Sequence, residues 1–424
     1  MARILVTEPL AESGLQRLRD AGHDVEVRLG LSPTDLLGVV AGVGALIVRS
    51  ATKVTAEVLA AGSDLVVVGR AGTGVDNIDV AAATARGVMV VNAPQSNSLS
   101  AAEHAMALLL AQARNVPQAH AALKAGRWER SRWEGVELNG KTLGVLGLGR
   151  IGTLVAQRAS AFGMRIIAWD PWTAPDRARQ LGIELFGLEE LFGVADFVTV
   201  HLLKTKESVG IVGKDLLARA KPGLRIVNAG RGGIIDEDAL AQAIESGRLG
   251  GAAIDVFATE PTTASPLFEL DSVVVTPHLG ASTREAQDKA GETIAEQVEL
   301  ALAGEFVPFA LNVEATEAPE PVRPFLALAE RLGRVFAGLA EGLPGVIEIG
   351  YQGEIATFDT RILKLAVLKG VLGGMFDEPV SYVNAPQLAA SRGVEVREST
   401  TTAPEEYVNL VSIRGGAHSV AGTL

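Results

Sequence analysis

Thr142-Leu143-Gly144-Val145-Leu146-Gly147-Leu148-Gly149-Arg150-Ile151-Gly152 runs an apolar stretch directly into a glycine-rich turn. The stretch reads as a buried parallel strand, and the residues after it, through Ala161, have helical spacing. Glycine-rich turns are common, and the strand–turn–helix setting is what makes a GxGxxG motif informative. In that setting Gly147 permits the tight turn, Gly149 lets the backbone approach a pyrophosphate, and Gly152 lets helix and sheet pack closely. The helix N-terminus adds free N–H groups and a positive dipole end. Asp170 follows the next strand, Arg165–Trp169, eighteen residues past Gly152. An acid at about that distance binds the ribose hydroxyls of NAD and repels the extra phosphate of NADP. Pro171-Trp172-Thr173-Ala174 supplies no Arg for that phosphate, so NAD is the expected cofactor.

Working outward, Phe197–Val200, Arg225–Asn228, Gly251–Asp255 and Ser272–Thr276 complete a predicted series of six strands with helices between most of them. That is a whole doubly wound dinucleotide fold. Upstream, Ile4–Val6, Ala45–Val48, Leu65–Val68 and Val88–Val91 alternate with helical patterns and predict a second parallel sheet covered on both faces. Long helices are expected over Leu99–Ala113 and Glu285–Leu302. Pro319, Pro321 and Pro324 among acidic and small residues mark a linker over 311–324. Past it, Phe325 to Leu339 has helical i, i+3, i+4 spacing, Arg361–Met375 reads as a helix, and Val346–Tyr351, Val394–Glu398 and Tyr407–Ile413 read as strands. This is a separate α+β unit. Its last residues, Ser419–Leu424, read as a strand with no partner, which predicts a poorly ordered end.

Composition bounds the function. The 424 residues suggest two to four domains, and 48% hydrophobic with 21% charged residues is a globular profile. A formal charge of −12 repels phosphate backbones and argues against nucleic acid as a partner. The absence of Cys excludes thiol catalysis, disulfides and cysteine metal sites. The start, Met1-Ala2-Arg3-Ile4-Leu5-Val6, reads as a strand rather than a signal peptide, and no apolar run approaches the ~18 residues of a membrane span. A soluble cytoplasmic protein is expected. The six His include no i, i+4 pair, so no metal site is expected.

Three polar side chains sit just past predicted strand ends: Arg231, Glu260 and His278. Each alone has a plain reading, as a surface Arg, a helix-cap acid and a loop His. Ligands of open α/β sheets gather at the carboxyl ends of strands, and the shared placement favours a common site. Transfer of a hydride between a hydroxy acid and NAD needs a cation for the carboxylate, and Arg offers a bidentate fork. It needs a group that takes and returns the hydroxyl proton, which His does near neutral pH. It gains from a carboxylate that orients that ring, the part Glu260 can play.

These residues lie in longer stretches: Ile47-Val48-Arg49-Ser50-Ala51-Thr52-Lys53-Val54, Gly69-Arg70-Ala71-Gly72-Thr73-Gly74-Val75-Asp76-Asn77, Asn97-Ser98-Leu99-Ser100-Ala101-Ala102-Glu103 and Pro277-His278-Leu279-Gly280-Ala281-Ser282-Thr283. With the glycine turn and the Arg231 and Glu260 segments, they resemble the D-isomer-specific 2-hydroxyacid dehydrogenase family over residues 1 to about 310. Tyr382-Val383-Asn384-Ala385-Pro386 and Arg392-Gly393-Val394-Glu395-Val396 are similar to the intervening domain of its long bacterial form.

The resemblance implies an α/β fold with an NAD-binding Rossmann domain, 96–284, nested in a flavodoxin-like substrate-binding domain, 1–95 and 285–310. A linker, 311–324, and an intervening α+β domain, 325–424, would follow. That last domain is expected to be incomplete and to precede a serine-sensing ACT domain that this sequence does not contain. The implied activity is oxidation of 3-phospho-D-glycerate to 3-phosphohydroxypyruvate with NAD, the first step of L-serine synthesis. Two other readings stay open: a glyoxylate or hydroxypyruvate reductase of the same family, and a non-catalytic NAD-sensing module.

By resemblance, Arg150, Ile151, Asp170, Thr73, His201, Asn228, Ala229, Asp255, Gly280 and Ala281 line NAD, with Asp255 near the nicotinamide amide. Arg49, Arg70, Gly72, Thr73 and Gly74 join Arg231 and His278 around the substrate, because a phosphorylated acid needs more than one cation. A homodimer or homotetramer is implied, in which Arg130 or Arg132 could reach a neighbouring site; solvation is the favoured reading of Arg132. The segment His201-Leu202-Leu203-Lys204 departs from the family in lacking a proline two residues after the histidine. His23, His104, His120 and His418 match no catalytic position.

Overall fold

The computed structural model describes residues 1–315, 319–377, 380–403 and 407–424. The expected linker falls partly outside the described residues, at 316–318. The chain divides into two units, Met1–Ser96 with Gln287–Leu424, and Asn97–Ala286.

The first unit contains a parallel sheet of β1 (Arg3–Val6), β2 (Asp24–Val27), β3 (Ala45–Val48), β4 (Val67–Arg70) and β5 (Met89–Asn92) in the order β2-β1-β3-β4-β5. Its strands are apolar on both faces because both are covered. Ile4, Ile47 and Val91 face one core, and Leu5, Leu46 and Val90 the other. Helix Arg284–Ala303 packs so closely on one face that a Cβ at Gly69 would stand 2.9 Å from Ile294. The sequence pattern misses β2. It is an edge strand reading Asp-Val-Glu-Val, and charged residues are what an edge tolerates. Strand β4 begins two residues later than the pattern predicts, because Leu65 closes the turn after helix Ala56–Ala61 with its N–H on the Gly62 carbonyl. Residues 310–312 are built onto β5: Leu311 donates to the Val90 carbonyl at 2.8 Å, and the Asn312 amide bridges Val90 N–H and Val88 C=O at 2.9 Å each.

The same unit carries a mixed four-stranded sheet. Its strands β13 (Val346–Gly353), β14 (Glu395–Thr401), β15 (Asn409–Gly415) and β16 (His418–Gly422) lie in the order β14-β13-β15-β16. Helices Phe325–Leu339 and Arg361–Met375 pack backbone to backbone, since a Cβ at Gly333 would meet the Val367 carbonyl at 2.4 Å. The expectation of an unpaired terminal strand is corrected here: β16 pairs antiparallel with β15 from Val411↔Gly422 to Gly415↔His418.

The second unit is a seven-stranded parallel sheet, β6 (Thr142–Leu146), β7 (Arg165–Trp169), β8 (Glu184–Leu185), β9 (Phe197–Val200), β10 (Arg225–Asn228), β11 (Gly251–Ile254) and β12 (Val273–Val275). The order is β12-β11-β10-β9-β6-β7-β8. The chain direction of assembly reverses between β6 and β9, which makes that edge of the glycine turn the topological switch point. The two-residue β8 is too short to leave a period in the sequence. Among the described residues, no helix is long and apolar enough to cross a membrane.

Candidate active site

The glycine turn leaves β6 and enters helix Arg150–Ala161 as its spacing requires. Gly147 has φ 93°, and a Cβ there would stand 2.8 Å from the His201 carbonyl. A Cβ at Gly152 would stand 2.0 Å from the Gly147 carbonyl, so helix and turn meet with no room for a side chain. A Cβ at Gly149 would meet nothing within 4 Å. The backbone is thus bare on the side where a dinucleotide's phosphates would approach the helix N-terminus.

Asp170 closes the turn from β7. One carboxylate oxygen accepts Leu148 N–H at 2.7 Å; the other accepts Trp172 and Thr173 N–H at 2.8 and 2.9 Å. A carboxylate has about four lone-pair sites, so these three bonds fix its direction and leave capacity for a ribose hydroxyl. His201, past β9, has its Nε2 2.9 Å from Thr199 Oγ1, and desolvation pushes its pKa down to about 4. It is a neutral ring at physiological pH. These residues fit NAD.

Arg231, Glu260 and His278 follow β10, β11 and β12 respectively. The Arg231 turn is templated by buried Asn228, whose amide donates to the Arg231 carbonyl at 3.0 Å and accepts Gly230 N–H at 3.1 Å. His278 sits at φ 56°, in the left-handed region, which an L-residue rarely adopts. Its N–H donates to the Asp255 carbonyl at 2.8 Å, and its Nδ1 lies 2.6 Å from Glu260 Oε2. A carboxylate only accepts, so Nδ1 carries the proton and Nε2 is left to exchange one with a ligand. Glu260 Oε1 accepts Phe257 N–H at 2.9 Å. Burial raises the Glu260 pKa, but the bonds from His278 and Phe257 outweigh it and hold the carboxyl below its usual range.

Asp255 has 0% of its surface exposed. Its oxygens accept Thr276 Oγ1 at 2.6 Å, Leu279 N–H at 2.7 Å and Gly280 N–H at 3.0 Å, and His104 Nε2 lies 3.1 Å away. Burial opposes ionisation, yet the bonds from His104, Thr276 and Leu279 keep the carboxyl below its usual range. In the fold the carboxylate accepts from the backbone just past His278, and the Asp255 carbonyl accepts from His278 N–H, so Asp255 holds that strained turn. His104 and Thr276 belong to this support and were missed. Sequence offered only a weak signal, a lone His on an apolar helix. Arg132 is exposed and pairs with the exposed Asp271 carboxylate at 2.6 Å. No group of three or more His, Asp or Glu suited to a metal occurs among the described residues.

Arg49, Arg70, Gly72, Thr73 and Gly74, which the resemblance assigns to the substrate, belong to the first unit. Arg49 follows β3 and Arg70 ends β4. A Cβ at Gly72 would stand 1.8 Å from Arg70 Nη1, so the guanidinium lies directly on the glycine. Thr73 is held by Asn92, whose amide donates to its carbonyl at 2.6 Å, and Gly74 follows in the same loop.

Comparison with known proteins adds sequence kinship to this geometry. Residues 106–280 match the D-isomer specific 2-hydroxyacid dehydrogenase, NAD binding domain, and residues 321–424 the D-3-phosphoglycerate dehydrogenase intervening domain. The chain is 52% identical to D-3-phosphoglycerate dehydrogenase of Mycobacterium leprae, over 99% of this chain and 80% of that one. It is 43% identical to D-3-phosphoglycerate dehydrogenase of Archaeoglobus fulgidus, over 97% of this chain and 79% of that one. Among solved structures, the TT0316 protein of Thermus thermophilus superposes with a TM-score of 0.68 at 36% identity, covering 73% of this chain and 99% of that one.

Proposed function

The chain belongs to the D-isomer-specific 2-hydroxyacid dehydrogenase family, and from that premise we propose how its residues oxidise 3-phospho-D-glycerate to 3-phosphohydroxypyruvate. NAD, when bound, supplies the acceptor for the hydride that leaves C2. Arg231 holds the substrate carboxylate through its planar fork. His278 Nε2 takes the C2 hydroxyl proton, and Glu260, already on Nδ1, stabilises the charge the ring then carries. Asp255 keeps the His278 turn in place from below. Arg49 and Arg70, with the Gly72–Gly74 loop, meet the phosphorylated end. Asp170 selects NAD by accepting from the adenosine ribose. The reading takes the protein to be cytoplasmic and a homo-oligomer, on the strength of its family.

The observation that carries this reading is the 2.6 Å His278–Glu260 contact at strand ends of a sheet with a complete dinucleotide turn. The test is a panel of 3-phospho-D-glycerate, D-glycerate and D-lactate with NAD, followed at the NADH absorbance. Preference for the phosphorylated acid is expected. Faster turnover of an unphosphorylated acid would replace the substrate while leaving the chemistry.

A further inference from the structure

In the first unit the switch point falls between β1 and β3, the two strands whose following segments carry Glu8 and Arg49. Glu8 is half-buried there. One carboxylate oxygen accepts Arg49 N–H at 2.8 Å and Thr52 N–H at 2.9 Å, and the other accepts Ala51 N–H at 3.1 Å. On the opposite side of the same turn, one Asn77 amide nitrogen donates to the Arg49 carbonyl at 2.8 Å and the Thr52 carbonyl at 2.6 Å. The backbone of Asn77 adds a bond from Val54 N–H at 2.8 Å, and Thr7 Oγ1 lies 2.9 Å from Thr52 Oγ1. The turn's donors go to one side chain and its acceptors to another. Burial raises the Glu8 pKa, but the N–H groups of Thr52, Ala51 and Arg49 outweigh it and keep the group ionised.

We propose that Glu8 and Asn77 are positioning residues for phosphate recognition, clamping the Arg49–Thr52 turn so that Arg49 is presented in one direction. The inference rests on the reading that Arg49 meets the phosphorylated end of the substrate. A cation on a freely moving turn would lose part of its binding free energy to ordering when the substrate arrives; a clamped turn is ordered beforehand. Residues that only stabilised the unit would affect phosphorylated and unphosphorylated substrates alike.

The experiment measures kcat and KM of the full chain with 3-phospho-D-glycerate and with D-glycerate, for Glu8→Gln, Asn77→Ala, Arg49→Ala and the double variant Glu8→Gln/Arg49→Ala. In Glu8→Gln the new NH2 faces a backbone N–H, so the clamp opens with little change in volume. KM for 3-phospho-D-glycerate is expected to rise about tenfold, the scale of a lost charge-assisted bond. The loss with D-glycerate is expected to be at least fivefold smaller. In the double variant, Glu8→Gln should add nothing beyond Arg49→Ala, because the cation it serves is gone. Asn77→Ala should repeat the pattern and carries the test alone if Glu8→Gln does not fold. A selective Arg49→Ala beside an unselective or additive Glu8→Gln would overturn the clamp. An unselective Arg49→Ala would overturn the reading beneath it.

Discussion

Two doubly wound sheets in this chain treat their switch points in opposite ways. At the β6/β9 point, Gly147, Gly149 and Gly152 strip the turn of side chains, and a Cβ at Gly149 would meet only open space. Leu148 N–H goes to Asp170, and the N–H groups at the start of helix Arg150–Ala161 are left for an external anion. At the β1/β3 point the loop reads Thr7-Glu8-Pro9-Leu10-Ala11, without a glycine, and the Glu8 carboxylate takes the N–H groups itself. One crevice is kept for a ligand; the other holds an internal anion that shapes the neighbouring turn. The second unit also uses internal carboxylates: Asp170 takes one N–H of the glycine turn, that of Leu148, and Asp255 lies beneath His278. The same fold principle therefore yields a cofactor seat in one unit and a mounting for a cation in the other.

The comparison breaks most visibly at His278. His278→Ala should lower kcat by about 10²–10⁴-fold, the scale of general acid–base catalysis, with NAD affinity unchanged. All four Trp residues, 128, 133, 169 and 172, lie in the second unit, so their fluorescence can report NAD binding directly. Near-normal turnover in the folded variant would remove His278 from the chemistry.

In the first unit, Arg49→Ala should cost about 10–100-fold in kcat/KM for the phosphorylated substrate, the value of a charge-assisted contact of roughly 1.5–3 kcal/mol. D-Glycerate should be affected far less. Asp170→Ala should move the NADP/NAD preference toward NADP by about tenfold, by removing a negative charge from the ribose position. Competing the two cofactors in one assay would read it, and an unmoved ratio would place the adenosine ribose elsewhere.

The smallest effect sharpens the parallel between Asp255 and Glu8. Asp255→Asn puts an NH2 against the Leu279 or Gly280 N–H and should cost about 1–3 kcal/mol of stability at neutral pH. The folded-state pKa of Asp255 lies below its ordinary 3.8, so the ionised form is favoured in the fold. Its contribution is complete above the unfolded value and disappears as pH falls through the folded one. Urea unfolding read by Trp fluorescence should therefore show a constant gap between wild type and variant at neutral pH, closing only below about pH 4. A gap that widened in acid would reverse the assignment.

Much of this is legible in the sequence because it depends on local periodicity. Thr142–Leu146, Arg165–Trp169 and Arg225–Asn228 form strands at the residues the apolar pattern marks, since parallel strands covered on both faces must be apolar throughout. The glycine turn is equally local: Gly147 and Gly152 are needed by the backbone within six residues of one another. The edge strand β2 and the two-residue β8 lack that signal, one being half solvated and the other too short.

Placing Arg231, Glu260 and His278 past strand ends required only the strand pattern. The 2.6 Å contact of His278 with Glu260, the strained φ of His278 and the Asp255 network beneath it belong to the tertiary structure, because they join residues from different strands whose register no local pattern encodes. Glu8 and Asn77 show the same limit most sharply. Each is an ordinary polar loop residue in the text, forty-one and twenty-eight positions from Arg49. Only the parallel order β2-β1-β3-β4-β5 brings the ends of β1 and β3 side by side and turns a carboxylate and an amide into the two halves of one clamp.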